Sequence, residues 1–312
     1  MRLGLDTFGG DFAPDSTILG AIDARKELLK DISIVLIGDE NVSREKIRSQ
    51  GENPNDFEFI HTTERIEMGE HPAKAFKSKP ESSIGLGFRY LKTGELDSFA
   101  SAGNSGAMMV GSMFTIQAIP GVIRPSVTSA IPCPDGSMNI LLDVGINADC
   151  KPDVLYQFGI LGSIYAKEVF SIENPKVGLL SMGEEEEKGT IQIQAAHQLM
   201  KDSRDFNFFG NVEGRDLFSG EVDVIVTDGF TGNVMLKEAE AFYSMIKKRG
   251  INDEFFNRLN YEIYGGTPVL GVNGNVIIGH GISSARAIKN MIVHSLDVSN
   301  AQLVGKIKNA FQ

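Results

Sequence analysis

Apolar, β-branched runs alternate with segments of helical period from the first residues onward. "RLGLDT" (2–7), "ISIVLIGD" (32–39), "FEFIHT" (57–62), "SFASAG" (98–103), "NILLDVG" (139–145), "KVGLLSMG" (176–183), "NFFGNV" (207–212) and "VDVIVTDG" (222–229) read as strands. Most are short and apolar on both faces, as strands buried in a mostly parallel sheet are. Helical spacing predicts helices over 15–29, 82–93, 104–117, 152–169 and 190–201. This alternation predicts a layered α/β fold with a mostly parallel sheet. No linker divides residues 1–312 into separately folding parts, so a single domain is expected.

Two stretches break the rhythm. In "RPSVTSAIPCPDG" (124–136) the prolines at 125, 132 and 134 argue for an edge ribbon. At about 235–260 a helical hairpin is expected: Met235, Ala239, Phe242 and Ile246 share one helix face, and "KKRG" closes that helix. "NDEFFNRL" then opens a second one with an Asn cap and an acidic first turn.

Open α/β sheets bind ligands outside the carboxyl ends of their strands, which directs attention to the loops that follow each strand. In "SAGNSGA" (101–107), Gly103 and Gly106 allow close backbone approach, and Asn104 or Ser105 can cap a helix whose first amides would attract an anion. A well-capped helix after a tight turn would use the same residues. "DGFTGNV" (228–234) repeats the pattern: Asp228 closes a strand, Gly229 and Gly232 relax the backbone, and Thr231 and Asn233 offer polar groups. An asparagine there can donate to a developing oxyanion, with an ordinary helix cap as the plain alternative. Asp6 and Asp11 bracket the glycines of "DTFGGD" and could hold a divalent metal or orient loop amides; no DxDxDG or HExxH motif favours the metal. Of the five histidines, His280 in "IIGHGISSA" is the one in a glycine-flanked turn before a helix. "LLSMGEEEEKGTIQ" (179–192) sets a single cation, Lys188, behind four glutamates.

Composition narrows the possibilities. A formal charge of −11 argues against bulk attraction to nucleic acid while allowing a locally positive site for a small anion. The two cysteines, Cys133 and Cys150, have no CxxC spacing and no secretory signal ahead of them, so free thiols and a cytoplasmic location are expected. Every long apolar run is broken well before the roughly 20 residues that a membrane span requires. The order of "GEEEEKGT" is not that of a P-loop, and no GxGxxG follows the first strand.

Taken in order, "DTFGGDFAP", "SAGNSGAMM", "LLDVGINAD", "VGLLSMGEEEEKG", "GNVEGRD", "DGFTGNVMLK", "YGG" and "HG" closely resemble the PlsX-type phosphate acyltransferases of bacterial phospholipid synthesis, over residues 1 to about 290. The resemblance implies a fold related to isocitrate and isopropylmalate dehydrogenases and to phosphotransacetylases. It implies reversible transfer of a long acyl chain from acyl carrier protein to inorganic phosphate, with no cofactor or metal. It further implies a homodimer, peripheral membrane contact, and hand-over of acyl phosphate to a glycerol-3-phosphate acyltransferase. Carried over residue by residue, Lys188 and Asn233 are the catalytic pair, Lys188 neutralising phosphate and Asn233 stabilising the oxyanion. On that reading, Gly103, Asn104, Ser105, Gly106, Thr231, Gly232 and His280 would bind phosphate or substrate, supported by Asp6, Asp11 and Asp228. The 238–263 region is shorter than the family pattern; Lys247, Lys248 and Arg249, with Phe255, Phe256 and Leu259, are its candidates for contact with carrier protein or lipid. The competing readings are a short-chain phosphotransacylase using coenzyme A, a nicotinamide-dependent decarboxylating dehydrogenase of the same fold, and a carrier-protein scaffold without turnover.

Overall fold

A computed structural model describes all residues 1–312, which form two compact units. Each is discontinuous in sequence: residues 1–118 with 261–302, and residues 119–260 with 303–312. The chain passes between units at three points, and for that reason no single linker marks a boundary.

Residues 1–118 supply β1 (Arg2–Asp6), α1 (Asp15–Glu27), β2 (Ser33–Gly38), α2 (Glu40–Ser49), β3 (Glu58–His61), α3 (Pro72–Ser78), α4 (Ser83–Lys92), β4 (Ser98–Ser101) and α5 (Ser105–Val110). Residues 119–260 supply β5 (Ser126–Pro132), β6 (Met138–Leu142), α6 (Pro152–Phe170), β7 (Lys176–Leu180), α7 (Ile191–Met200), β8 (Asn207–Val212), β9 (Val224–Val226), α8 (Gly229–Lys248) and α9 (Glu254–Arg258). The first unit is completed by β10 (Thr267–Leu270), β11 (Asn275–Ile278) and α10 (Ala285–Asn300), and the second by α11 (Leu303–Ala310).

The first unit's strands run in the order β3-β2-β1-β4-β11-β10. All neighbours are parallel except β10, which is antiparallel to β11. Leu3 and Leu5 of β1 and Ile34 and Leu36 of β2 are buried, as the unbroken apolar run of β2 requires, and Phe88 meets Phe99 edge-on at 5.3 Å. The second unit's strands run β5-β6-β9-β7-β8, with β6, β9, β7 and β8 parallel and β5 antiparallel to β6. Its core includes Ile131, Leu141, Val144, Leu180, Val212, Leu217, Val222 and Ile225.

All eight expected strands form. The 124–136 ribbon is the β5–β6 hairpin, with Pro132 at the strand end and Pro134 in a turn closed by the Cys133 amide on the Ser137 carbonyl at 3.0 Å. The helix expected over 104–117 is α5 followed by a wider π turn over 111–116, where Gly111 lies so near Phe88 that a Cβ would come within 2.1 Å of the ring. The hairpin at 235–260 differs more. Met235 and Ile246 belong to a single 20-residue helix that begins directly after β9, and the second arm, α9, has five residues. Asp253 caps α9 in place of the expected Asn252, its carboxylate accepting the Phe256 amide at 3.1 Å. Arg258 ties that arm to the β5–β6 turn through the carbonyls of Cys133, Gly136 and Ser137.

Helices α1 and α10 approach closely at Gly20, where a Cβ would sit 2.6 Å from both the Ala285 carbonyl oxygen and the Ile288 Cβ. Alanine is a better helix former than glycine by about 1 kcal/mol, but the obstacle includes backbone, which cannot rotate away. We therefore expect Gly20→Ala to destabilise the protein by about 1–3 kcal/mol, read as a lower denaturation midpoint at unchanged m value. A gain in stability would mean that the helices can separate freely.

Candidate active site

In the first unit the carboxyl ends of the neighbouring parallel strands β1, β4 and β11 bring three of the singled-out loops together. Asp6 is buried, its carboxylate accepting the Ser101 hydroxyl at 2.7 Å and the Phe8 amide at 3.0 Å. Burial pushes its pKa up, and the bonds from Ser101, Ser83 and Phe8 pull it partly back. The Asp11 amide donates to the Gly281 carbonyl at 2.7 Å, and Gly10 adopts φ +105° there, leaving the loops in backbone contact. The Asp6 carboxylate thus ties loop groups together, whereas Asp11 contributes through its backbone amide. The His280 ring packs on Tyr261 with centroids 4.9 Å apart, and its carbonyl accepts the Ser283 hydroxyl at 2.6 Å.

Part of the phosphate cradle expected in "SAGNSGA" is occupied by the protein's own groups. The Gly103 amide donates to the Ser101 hydroxyl at 2.9 Å. Buried Asn104 caps α5 through the Ala107 amide and donates to the carbonyls of Glu67, Met68 and Glu70. Gly106 makes room for Pro72, to which a Cβ would come within 2.3 Å. Ser105 is the exposed member. The Asn104 side chain is thus committed to holding the 67–70 segment and is not free for an anion.

The second unit gathers its own set at the carboxyl ends of β6, β9 and β7, which are adjacent and parallel. Asp143, fully buried after β6, accepts the Asn147 amide at 2.7 Å, the Asn147 side-chain amide at 2.8 Å, and the amides of Val127, Gly145 and Ile146 at 3.3 Å. Burial raises its pKa against the pull of these donors. The Asn147 carbonyl then accepts the Gly229 amide at 2.7 Å, seating the start of α8 on the β6 loop. Gly232 is buried and packed against that loop: a Cβ would lie 1.9 Å from the Asp143 carbonyl oxygen. Its role is close approach, with no open amide face for phosphate. Asp228 caps α8 by accepting the Thr231 amide at 2.7 Å.

Asn233, the fifth residue of α8, donates to the Val144 carbonyl at 3.1 Å. An amide nitrogen carries two protons, so one remains for a ligand. Lys188 lies in the loop after β7, beside the strand that leads into α8. The acidic run around it is not a bare rim: Glu184 pairs with Arg215 at 2.9 Å, and Glu186 meets Lys201 at 3.5 Å and Gln198 at 3.2 Å. Lys188 is exposed and has no carboxylate partner. A cation, a positioned amide donor and the positive end of a 20-residue helix thus follow neighbouring strands, an arrangement suited to an anionic nucleophile and a developing oxyanion. Composition hid Asp143 and Asn147; an Asp at a strand end with Asn four residues on was the available signal.

These features define an α/β protein of the phosphotransacetylase fold. The chain is similar to a phosphotransacetylase from Streptococcus pyogenes (TM-score 0.69, 18% identity, 96% of this chain and 94% of that one) and to a branched-chain phosphotransacylase from Enterococcus faecalis V583 (TM-score 0.64, 12% identity, 96% and 99%). Residues 1–255 match the family described as "Fatty acid synthesis protein". Among curated relatives, a phosphate acyltransferase of Dictyoglomus turgidum is 42% identical over 94% of this chain and 92% of its own length, and one of Salinibacter ruber is 39% identical over 100% and 98%. The chain belongs to the phosphate acyltransferase family.

Asp143→Ala would strand several buried backbone donors, each costing about 1–3 kcal/mol when unpaired. We expect a stability loss of at least about 3 kcal/mol in urea denaturation; a loss under about 1 kcal/mol would mean that water replaces the carboxylate.

Proposed function

We infer that this protein transfers an acyl group from acyl carrier protein to inorganic phosphate, giving the acyl phosphate used in phospholipid synthesis. A phosphate oxygen attacks the thioester carbonyl, the C–O bond forms, the C–S bond breaks, and the carrier thiolate leaves and takes up a proton. The observation that carries the reading is Asn233, held through Val144 with one amide proton uncommitted, beside a loop whose lysine is unpaired. Lys188 offsets the charge of phosphate, and Asn233 donates to the carbonyl oxygen as it becomes negative. Phosphate is already nucleophilic at neutral pH and a thiol leaves readily, so the residues need only position and stabilise. Ser105, Thr231 and His280 are secondary candidates for substrate contact.

Carrier docking is assigned to the far end of α8, where Lys247, Lys248 and Arg249 are exposed. Phe255, Phe256 and Leu259 are half-buried; the exposed apolar residues of this region are Phe242, Met245 and Ile251. Lys247 lies about 21 Å along the helix from Asn233, a distance the carrier's prosthetic arm has to bridge. No helix is long and apolar enough to cross a membrane. The same basic and apolar end of α8 supports contact with an anionic bilayer, where acyl phosphate would pass to a glycerol-3-phosphate acyltransferase, and its exposed apolar face supports a homodimer.

Wild-type protein should release free thiol from palmitoyl carrier protein only with phosphate present, and far faster than from acetyl-coenzyme A. Lys188→Ala and Asn233→Ala should each lower kcat about 100- to 1,000-fold. Release independent of phosphate, or full activity in both variants, overturns the assignment. Replacing Lys247, Lys248 and Arg249 with glutamate should raise the KM for acyl carrier protein about tenfold and leave that for acyl-pantetheine unchanged; equal effects on both substrates would remove carrier docking from this helix.

A further inference from the structure

His197 is a buried titratable group that the chemistry above does not use. It lies on α7, its ring edge-on to Phe208 with centroids 5.2 Å apart, and its Nδ1 is 2.9 Å from the Asn211 Oδ1. Asn211, also buried, donates from Nδ2 to the Glu185 carbonyl at 2.9 Å. A carbonyl only accepts, so the amide nitrogen of Asn211 must face Glu185 and its oxygen must face His197. The proton between the His197 ring and the Asn211 amide oxygen therefore belongs to Nδ1 of the imidazole. The Glu185 carbonyl has a second donor, the Lys188 backbone amide at 3.0 Å, which closes the turn carrying the lysine. One carbonyl oxygen thus joins the buried pair to the backbone of Lys188.

The other ties on this loop are weaker. Glu184 with Arg215 and Glu186 with Lys201 are exposed pairs, which water and salt screen to a small contribution. The His197 Nε2 sits 3.9 Å from the Glu186 carboxylate, beyond hydrogen-bond reach. Gln194 also donates to the Gly189 carbonyl at 3.1 Å beyond the lysine, but the part-buried amide link from Asn211 is the tie that joins the acidic turn carrying Lys188 to a buried side chain.

We propose that His197 and Asn211 are positioning residues for Lys188, holding the turn so that its ammonium meets phosphate. The proposal rests on the reading of Lys188 as the phosphate-binding cation, and it makes a separate claim about the loop itself.

Asn211→Asp tests it with little change of shape. The oxygen facing His197 is kept, while an oxygen replaces the N–H that faced the Glu185 carbonyl. The KM for phosphate should rise about five- to tenfold, the effect of one lost hydrogen bond, with the KM for acyl carrier protein within about twofold of wild type. His197→Leu should act likewise, whereas His197→Asn, which keeps a donor near the Nδ1 position, should restore the phosphate KM. Amide hydrogen exchange of the 184–190 segment, which needs no turnover, should accelerate in Asn211→Asp and His197→Leu and return toward wild type in His197→Asn. Unchanged exchange in folded Asn211→Asp overturns the positioning claim. Faster exchange with an unchanged phosphate KM overturns its link to phosphate. If the wild type releases no thiol at all, it is the acyl-transfer reading that fails, and the exchange result still decides whether the pair holds the loop.

Discussion

A carboxylate buried at the end of a parallel strand organises the site in the second unit. Asp143 takes the amides of Val127, Gly145, Ile146 and Asn147 at the point where β6 stops and its N–H groups lose their ladder partners. Buried donors left unpaired are costly, and an acceptor with two oxygens can satisfy several at once. The folded loop then presents two carbonyls to α8: that of Asn147 to Gly229 and that of Val144 to Asn233. The orientation of the amide donor is thus set by a group that does not itself face solvent. Asp6 plays a related part in the first unit, where its carboxylate accepts from Ser101 and Phe8.

Charge is arranged with the same economy. In a chain with a formal charge of −11, a site for phosphate needs a local excess of positive potential. The four glutamates before Lys188 supply the opposite, yet Glu184 and Glu186 meet Arg215 and Lys201, leaving Lys188 without a carboxylate within ion-pair distance. Together with the start of α8 this gives a cation and a helix dipole on loops that follow adjacent strands.

Much of the fold was legible because both-sided burial imposes a simple spelling. Runs such as "IVLI" (34–37) and "ILL" (140–142) are apolar throughout and can hardly be anything but interior strands. The β10–β11 hairpin escaped notice because its strands have four residues each and one contains Pro268, so neither length nor alternation marks them. The extent of α8 was misjudged for a related reason: glycines at 229 and 232 resemble a loop, whereas here they permit helix backbone to lie against the Asp143 loop. The glycines and Asn104 of "SAGNSGA" were legible as important residues, but their partners were not.

By itself the sequence determined the fold class and the family, and it singled out the two residues on which the proposed chemistry rests, since periodicity and ordered motifs survive in one dimension. Which donors remain free was decided only by tertiary structure. Asn104 and Gly103 turn inward, Asn233 keeps a proton, and His197 with Asn211 reaches the Lys188 turn from separate elements. A hydrogen bond is a pairing, and whether a polar group is available depends on partners that the chain brings to it from tens of residues away.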